Sequence, residues 1–379
     1  MKVCMISGSY PAMPCGVGDY TAHLAGELAR AGVGVDVLAC SHPQVEPRRN
    51  GSVDVFPVLG VIPALDARRI STHARERGCD LIHIQYPTWA FRRSLSIPLL
   101  PGLLRLMQRR PVVVTMHEVS HCHPLNRLRL IPIAYSASAV TATTEEDSRW
   151  LATRLPGLGK RIAHIPIGAF IEPSLRPDYD RIRQRRELGI TDDEIAVCHF
   201  GFVLRNKLLE HLLPAARAAI DSGARIRLVF MSGFERTEGE YGAQIRQMIR
   251  ELGLSQHVSE TGYVQPGDVS RFISACDIAV LLFRDGASFR RSSMLTVMAH
   301  GLPVISYRGA TPPAGLRDAD NIVLVETDDI AGIADRMLKL CNDAHLRRRI
   351  GEAGRKTADA FSWPSIARRT AELYQRLLR

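Results

Sequence analysis

No apolar run of the ~18 residues that a membrane span requires occurs in this 379-residue chain, so nothing in it reads as a transmembrane helix. The chain opens directly on the strand-like "MKVCMISGSYP", without the basic-then-apolar leader or small-residue cleavage site of a secretory signal, and a cytoplasmic location is expected. Closely spaced cysteines are also missing. The eight at 4, 15, 40, 79, 122, 198, 276 and 341 stand singly, which argues for buried thiols and against a zinc site or disulfide framework. Aromatic residues make up only 6% and no nucleic-acid-binding module is recognisable, so nucleic acid is not expected as a partner. What the chain has in excess is positive charge, +10 with a pI near 9.4, which calls for an anionic partner without saying which.

The length suits two domains of roughly 150–200 residues each. Short runs rich in branched residues alternate with helical stretches: "KVCMISG", "GVDVLAC", "VDVFPV", "DLIHIQ", "PVVVTMH", "AVTATT" and "RIAHIPIG". The alternation restarts at "IAVCHFGF" and continues through "RIRLVFMSG", "VSETGYV", "DIAVLLF", "LPVISY" and "NIVLVE". The pattern predicts an α/β protein of two doubly wound, Rossmann-like parallel-sheet domains, joined near "IEPSLRPDYD". Two such domains face a central cleft, and ligands in open α/β sheets sit at the carboxyl ends of the strands. The strand-to-helix loops are therefore the places to search.

The first loop carries Gly16 and Gly18 before a helix expected to begin near Asp19, where exposed backbone N–H groups and the helix dipole favour a phosphate or sugar. The third glycine of a dinucleotide fingerprint is missing, Thr21 standing in its place. The second loop puts His117 and Glu118 just past a strand, a structural pair or a functional one. His121 completes an H-E-x-x-H spacing, but the preceding valine-rich strand and Pro124 argue for a loop and against a metal site. In the third, Gly201 ends a strand, and Arg205 and Lys207 enter the next helix at its positive end. Cations there oppose the helix dipole, unless an anion bridges them.

The fourth loop, "DGASFRRSSMLTVMAHGLPV", turns at Asp285 and Gly286, and Ser292 or Ser293 is expected to cap a helix ending at Gly301. Met294, Leu295, Val297 and Met298 should be buried, leaving Asp285, Ser288, Arg290, Arg291 and the serines for chemistry. Two adjacent arginines at a helix N-terminus again ask for a phosphate.

Taken in order, "PCGVGDYTAHLAGELARAGVGVDVL", "VVVTMHEVS", "RIAHIPIG", "FGFVLRNKLLEHLLPAA" and "LLFRDGASFRRSSMLTVMAHGLPVIS" resemble the family-4 retaining glycosyltransferases of GT-B fold. The resemblance implies an acceptor-binding domain over residues 1–172 and a donor-binding domain over 173–363, with a closing helix at 364–379 that crosses back onto the first domain. It implies that Lys207 and Arg205 grip the donor diphosphate, that His117 lines the donor-sugar site with Glu118 beside it, and that Gly16 and Gly18 close over the donor. Three departures stand out. The glycine usual after the lysine is Leu208, and the family's two glutamates, eight positions apart, are Ser288 and Thr296. A subset with D-G-x-S-x-R-R-x-S shares the change, and there Asp285 is expected to recognise sugar hydroxyls while Arg290, Arg291, Ser292 and Ser293 reinforce diphosphate binding.

The chemistry implied is metal-independent, cofactor-free transfer of a hexose-type sugar from a nucleoside diphosphate sugar to an acceptor hydroxyl, with retention. A nucleotide-sugar-binding protein without turnover and a nucleotide-sugar epimerase of the same fold are the alternatives; the epimerase would need cleft carboxylates, for which Glu118 is the candidate. The acceptor, whether sugar, lipid-linked or small molecule, leaves no signature. Residues 91–110, "FRRSLSIPLLPGLLRLMQRR", carry five arginines and no acid around an apolar centre, which reads either as a peripheral contact with an anionic membrane or as a partly buried helix with a basic rim.

Overall fold

The computed structural model describes the chain except residues 12, 14, 44, 50, 61, 63, 89, 90, 92, 93, 95, 120, 121, 170, 232–238 and 311, and the side chains of 124, 125, 239 and 266. The chain divides into two units, Met1–Gly168 with Trp363–Arg379, and Ala169–Ser362, the first break falling ahead of the expected 172–173.

In the first unit the strands are β1 (Lys2–Ser7), β2 (Gly34–Cys40), β3 (Val53–Leu59), β4 (Leu81–Tyr86), β5 (Val112–Met116), β6 (Ala139–Ala142) and β7 (Ile162–His164). They form one parallel sheet in the order β3-β2-β1-β4-β5-β6-β7. Strands β4 and β5 are buried at every position; β5 accordingly reads as a nearly continuous apolar run, whereas β4 buries His83 and Gln85 among its apolar residues. The crossover helices are α1 (Gly16–Arg30), α2 (Ala67–Glu76), α3 (Leu100–Met107), α4 (Pro124–Ser136) and α5 (Glu145–Arg154). Tyr20, Leu24 and Leu28 form the buried face of α1, as their spacing predicts. The helix starts at Gly16, three residues earlier than expected, with Gly18 inside it, where a Cβ would stand 3.1 Å from the Ser9 backbone.

The second unit opens with α6 (Arg181–Glu187), then runs β8 (Ile195–Phe200), α7 (Leu209–Asp221), β9 (Ile226–Met231), α8 (Gly239–Glu251), β10 (Val258–Glu260), α9 (Pro266–Ala275) and β11 (Ile278–Val280). It closes with α10 (Ser292–Ala299), β12 (Val304–Tyr307), β13 (Val323–Val325), α11 (Ile330–Asn342) and α12 (Ala344–Asp359), and its sheet order is β10-β9-β8-β11-β12-β13, all parallel. The last helix, α13 (Trp363–Leu378), returns to the first unit and packs on α1. Trp363 lies 5.3 Å from Tyr20 and stacks on His23, and Gly168 leaves room for it: a Cβ there would sit 2.7 Å from the indole.

The two sheets repeat one local device. In "GCDLIHI" and "ACDIAVL" an aspartate precedes the strand that pairs beside the first strand of its unit. Asp80 accepts the backbone N–H of Lys2 at 2.7 Å, and Asp277 accepts that of Ala196 at 2.9 Å. Each carboxylate thus satisfies a strand-end donor that has no ladder partner and pins the register.

Candidate functional site

In the second unit the loops after β8 and β11 meet, the backbone N–H of Arg284 donating to the Asn206 carbonyl at 3.3 Å. Arg205–Lys207 form one turn of 3-10 helix ahead of α7. Leu208, where the resembled family carries glycine, joins that turn to α7 in the left-handed conformation, φ 49° and ψ 46°. A leucine there bears strain of about 1–2 kcal/mol. It is offset by complete burial of the side chain with Leu209, Leu212 and Leu213 in the core under α7.

Lys207 and Arg291 converge on one ring. The Lys207 ammonium lies 4.2 Å and the Arg291 guanidinium 4.8 Å from the centre of Phe283. Gly201, at φ +126°, runs beneath: a Cβ on it would come within 4.0 Å of Lys207 Nζ and 3.9 Å of Ser293 Cβ. Asp285 pairs with Arg291 and is the carboxylate of the group. Burial, and then the neighbouring Arg291 charge, push Lys207 down to about 8, while Asp285 pulls the other way. Arg291 Nε is buried without a hydrogen-bond partner among the described residues. Two cations against one carboxylate, in a partly dehydrated place with an unfilled donor, favour an incoming anion.

Helix α10 points its first turn at this group. The serines do not cap it as expected: Arg291 holds the N-cap position, and its side chain makes no cap bond. Ser288 instead accepts the Arg290 backbone N–H at 3.3 Å, inside the loop. The helix ends at Ala299, two residues before Gly301 at φ +77°. The uncapped end and its positive dipole favour a nearby negative charge. Thr296 is fully buried and its hydroxyl has no partner among the described residues, so it lies within the helix packing rather than on the loop surface. The loop is held from behind by a glycine contact: Gly286 has φ +88°, and a Cβ on it would stand 2.4 Å from Gly309 Cα. Arg205 turns another way, its guanidinium 5.0 Å over Tyr241 and bonded to Gln244 at 3.3 Å.

In the first unit His117 follows β5 and is buried. Its Nε2 bonds to Gln85 Oε1 at 2.9 Å, its backbone N–H donates to the Tyr86 carbonyl, and Tyr20 packs edge-on at 4.7 Å. Burial pushes the imidazole down to about 3, so it is neutral at neutral pH. With Nε2–H donating to Gln85, the proton-free atom is Nδ1. A further chain runs from Gln85 to His83, and from His83 to Thr115 at 2.7 Å and to the Tyr374 hydroxyl on α13. Glu118 is exposed beside it. Gly18 is buried where α1 crosses the preceding loop, a Cβ meeting the Ser9 carbonyl at 3.1 Å, while Gly16 is exposed and open. His121 lies outside the described residues, so the H-E-x-x-H spacing stays unplaced.

The structure therefore brings Lys207, Gly201, Asp285, Arg291 and Ser293 together, and sets Thr296 apart by burial. Sequence reasoning missed Phe283, Gln85 and Tyr241. Phe283 reads as the last apolar residue of "DIAVLLF", and Gln85 as one polar residue inside a strand. A polar residue in a strand buried on both faces was the available signal for Gln85.

Comparison with known proteins matches the two halves of the chain to two family descriptions. The family described as Glycosyltransferase Family 4 matches residues 14–169, and Glycosyl transferases group 1 matches residues 180–357. The chain is a glycosyltransferase of GT-B, family-4-like type, with one half described by each match. Among curated proteins it is 26% identical to the D-inositol 3-phosphate glycosyltransferase of Corynebacterium glutamicum (strain R), covering 99% of this chain and 96% of that protein. Among solved structures it is similar in fold to a glycosyltransferase from Rickettsia africae ESF-5, with a TM-score of 0.81 at 14% identity over 100% of this chain and 98% of that one. Anabaena HepE in complex with UDP and glucose superposes with a TM-score of 0.73 at 18% identity, over 99% and 100% of the two chains.

Proposed function

We propose that the protein transfers a hexose-type sugar, with retention and without a metal ion, from a nucleoside diphosphate sugar to an acceptor hydroxyl. The observation that carries this is the Lys207–Phe283–Arg291 group at the uncapped start of α10, with Lys207 already depressed by burial and a like charge. A donor diphosphate placed there neutralises both cations and fills the Arg291 Nε donor. Arg205 swings from Tyr241 to join it, and Arg290, Ser292, Ser293 and Ser288 line the same loop. Asp285 orients Arg291 through one carboxylate oxygen and uses the other for a sugar hydroxyl. That HepE is described with UDP and glucose supports a nucleotide-sugar donor for this chain.

In the reaction the bond between the anomeric carbon and the diphosphate oxygen breaks, and the acceptor oxygen bonds to the same face of that carbon. The acceptor proton passes to the departing phosphate oxygen. Negative charge growing on the diphosphate is met by Lys207, Arg291 and the α10 N–H groups, and removing one such contact costs about 2.7–4 kcal/mol of barrier. Neutral His117 offers Nδ1 as an acceptor to a sugar hydroxyl without placing a positive charge beside the oxocarbenium-like carbon. Gly16 and Gly18 let α1 approach the donor. A peripheral contact of residues 91–110 with a membrane surface belongs to the same reading, since a lipid-linked acceptor would be found there.

Thermal-shift screening against UDP, GDP, ADP and dTDP and their hexose derivatives tests the proposal. Selective stabilisation by one nucleotide family, lost in Lys207→Ala and in Arg290→Ala with Arg291→Ala, is expected. No shift with any of them in folded protein refutes it. A shift with no hydrolysis or transfer of the donor sugar selects the binding-only alternative.

A further inference from the structure

Helix α4 is apolar on both sides. Leu130, Ile133 and Ala134 face the core of the first unit, while Leu128, Ile131, Pro132 and Tyr135 make an exposed stripe at i, i+3, i+4 and i+7. Leu128 is 62% exposed and Tyr135 44%. A surface helix of a globular protein normally turns a polar face outward, so the second apolar face calls for a second apolar neighbour.

The stripe continues onto α3. Gly102 abuts Ser136, with 3.6 Å between a Cβ there and that of Ser136, and Arg105 donates to the Ser136 carbonyl at 3.1 Å. Leu99 ahead of this helix, and Leu106 and Met107 at its end, are exposed, Leu106 at 86%. Pro98 and Pro101 do not form one long amphipathic helix with the segment before them: a 3-10 turn at Ile97–Leu99 precedes α3.

Charge names the neighbour. From residue 81 to residue 144 the sequence has seven arginines, no lysine and one acid, Glu118. Arg105 and Arg109 are exposed beside the stripe, and Arg129 is tied to the Ser94 carbonyl at 2.7 Å with its stem along α4. An apolar strip rimmed by arginine, with a tyrosine whose hydroxyl donates to the Pro156 carbonyl, matches the boundary between acyl chains and anionic headgroups.

We infer that the α3–α4 face, and not residues 91–110 alone, docks the protein on an anionic phospholipid bilayer. The inference deepens the peripheral contact proposed above and does not depend on the identity of the donor.

Co-sedimentation of the full chain with vesicles of phosphatidylcholine, or of phosphatidylcholine with about 30% phosphatidylglycerol, tests it. Binding to the anionic vesicles about tenfold or more above the neutral ones, weakened by salt, is expected. Leu128→Asp with Ile131→Asp abolishes it, and Arg105→Gln with Arg109→Gln weakens it, with melting temperature and nucleotide response unchanged. Failure to bind anionic vesicles, or undiminished binding by the Leu128→Asp, Ile131→Asp protein, overturns the inference. So does a dimer in sedimentation equilibrium that the same pair of substitutions dissolves, because a second copy would then cover the face. Nucleotide thermal shifts on the same samples keep this outcome separate from failure of the sugar-transfer reading.

Discussion

Mild acid should loosen the first unit well before Asp36 titrates. His83 and His117 are both buried there, and burial pushes each down to about 3; His117 lowers His83 further. In the unfolded chain each returns to about 6.5. A base held neutral in the fold contributes its full stability above the unfolded pKa and loses it as pH falls through that value. Between pH 7.5 and 5.5 the loss is about 1.4 kcal/mol for each imidazole, or about 3 kcal/mol for the pair. That figure needs only a folded pKa below about 4.5, because the unfolded state alone is then taking up protons. Asp36, held far below the ordinary carboxylate range by His73, Arg77 and Lys2 against its desolvation, does not enter until lower pH. All three tryptophans, 89, 150 and 363, belong to the first unit, so their fluorescence reports its urea unfolding separately from far-UV circular dichroism. Among the described residues the second unit holds His199, pushed down to about 3 by burial, and His300, also lowered by burial, and its loss follows from these two. Replacing His117 with Gln should remove about 1.4 kcal/mol of the pH dependence seen by fluorescence, leaving the share of His83 and of His164, which burial also lowers. A fluorescence midpoint unmoved between pH 7.5 and 5.5, or equal dependence in wild type and variant, would refute the reasoning.

Two further outcomes are expected. Nucleoside diphosphate affinity, measured by calorimetry, should fall by up to about tenfold per pH unit above 8, as Lys207 loses its proton; Lys207→Arg should abolish the fall. Gly286→Ala should destabilise the second unit by about 2–5 kcal/mol in chemical denaturation, summing a left-handed backbone penalty with a methyl forced against Gly309, and should weaken donor binding by displacing Asp285.

Of the thirteen strands among the described residues, eleven fall inside the runs that the sequence marks by branched residues and two, β3 and β4, overrun theirs by one residue, because a parallel sheet covered on both faces admits little else. Loop ends were less legible. The α1 start moved from Asp19 to Gly16, since nothing in the sequence distinguishes a glycine that lengthens a loop from one that enters a helix. The serines at 292 and 293 carry a cap signature, yet they form the first turn of α10 and Arg291 takes the cap position. Thr296 could be placed by counting from "MAHGLPV", but its burial could not.

From the order of residues alone came the alternation that makes two parallel sheets, the positions of the strand-to-helix loops, and the basic residues those loops carry. These depend on local periodicity and on backbone chemistry, which neighbouring residues determine. Only the tertiary structure decided which cations share an anion. Lys207 and Arg291 are 84 positions apart and meet because β8 and β11 are adjacent in the sheet, with Phe283 as their common plate. The same holds for His117, whose tautomer is chosen by Gln85 on the next strand, and for α4, whose second apolar face becomes visible only once the first is buried. Contacts between distant segments follow from strand order and burial, which periodicity does not encode.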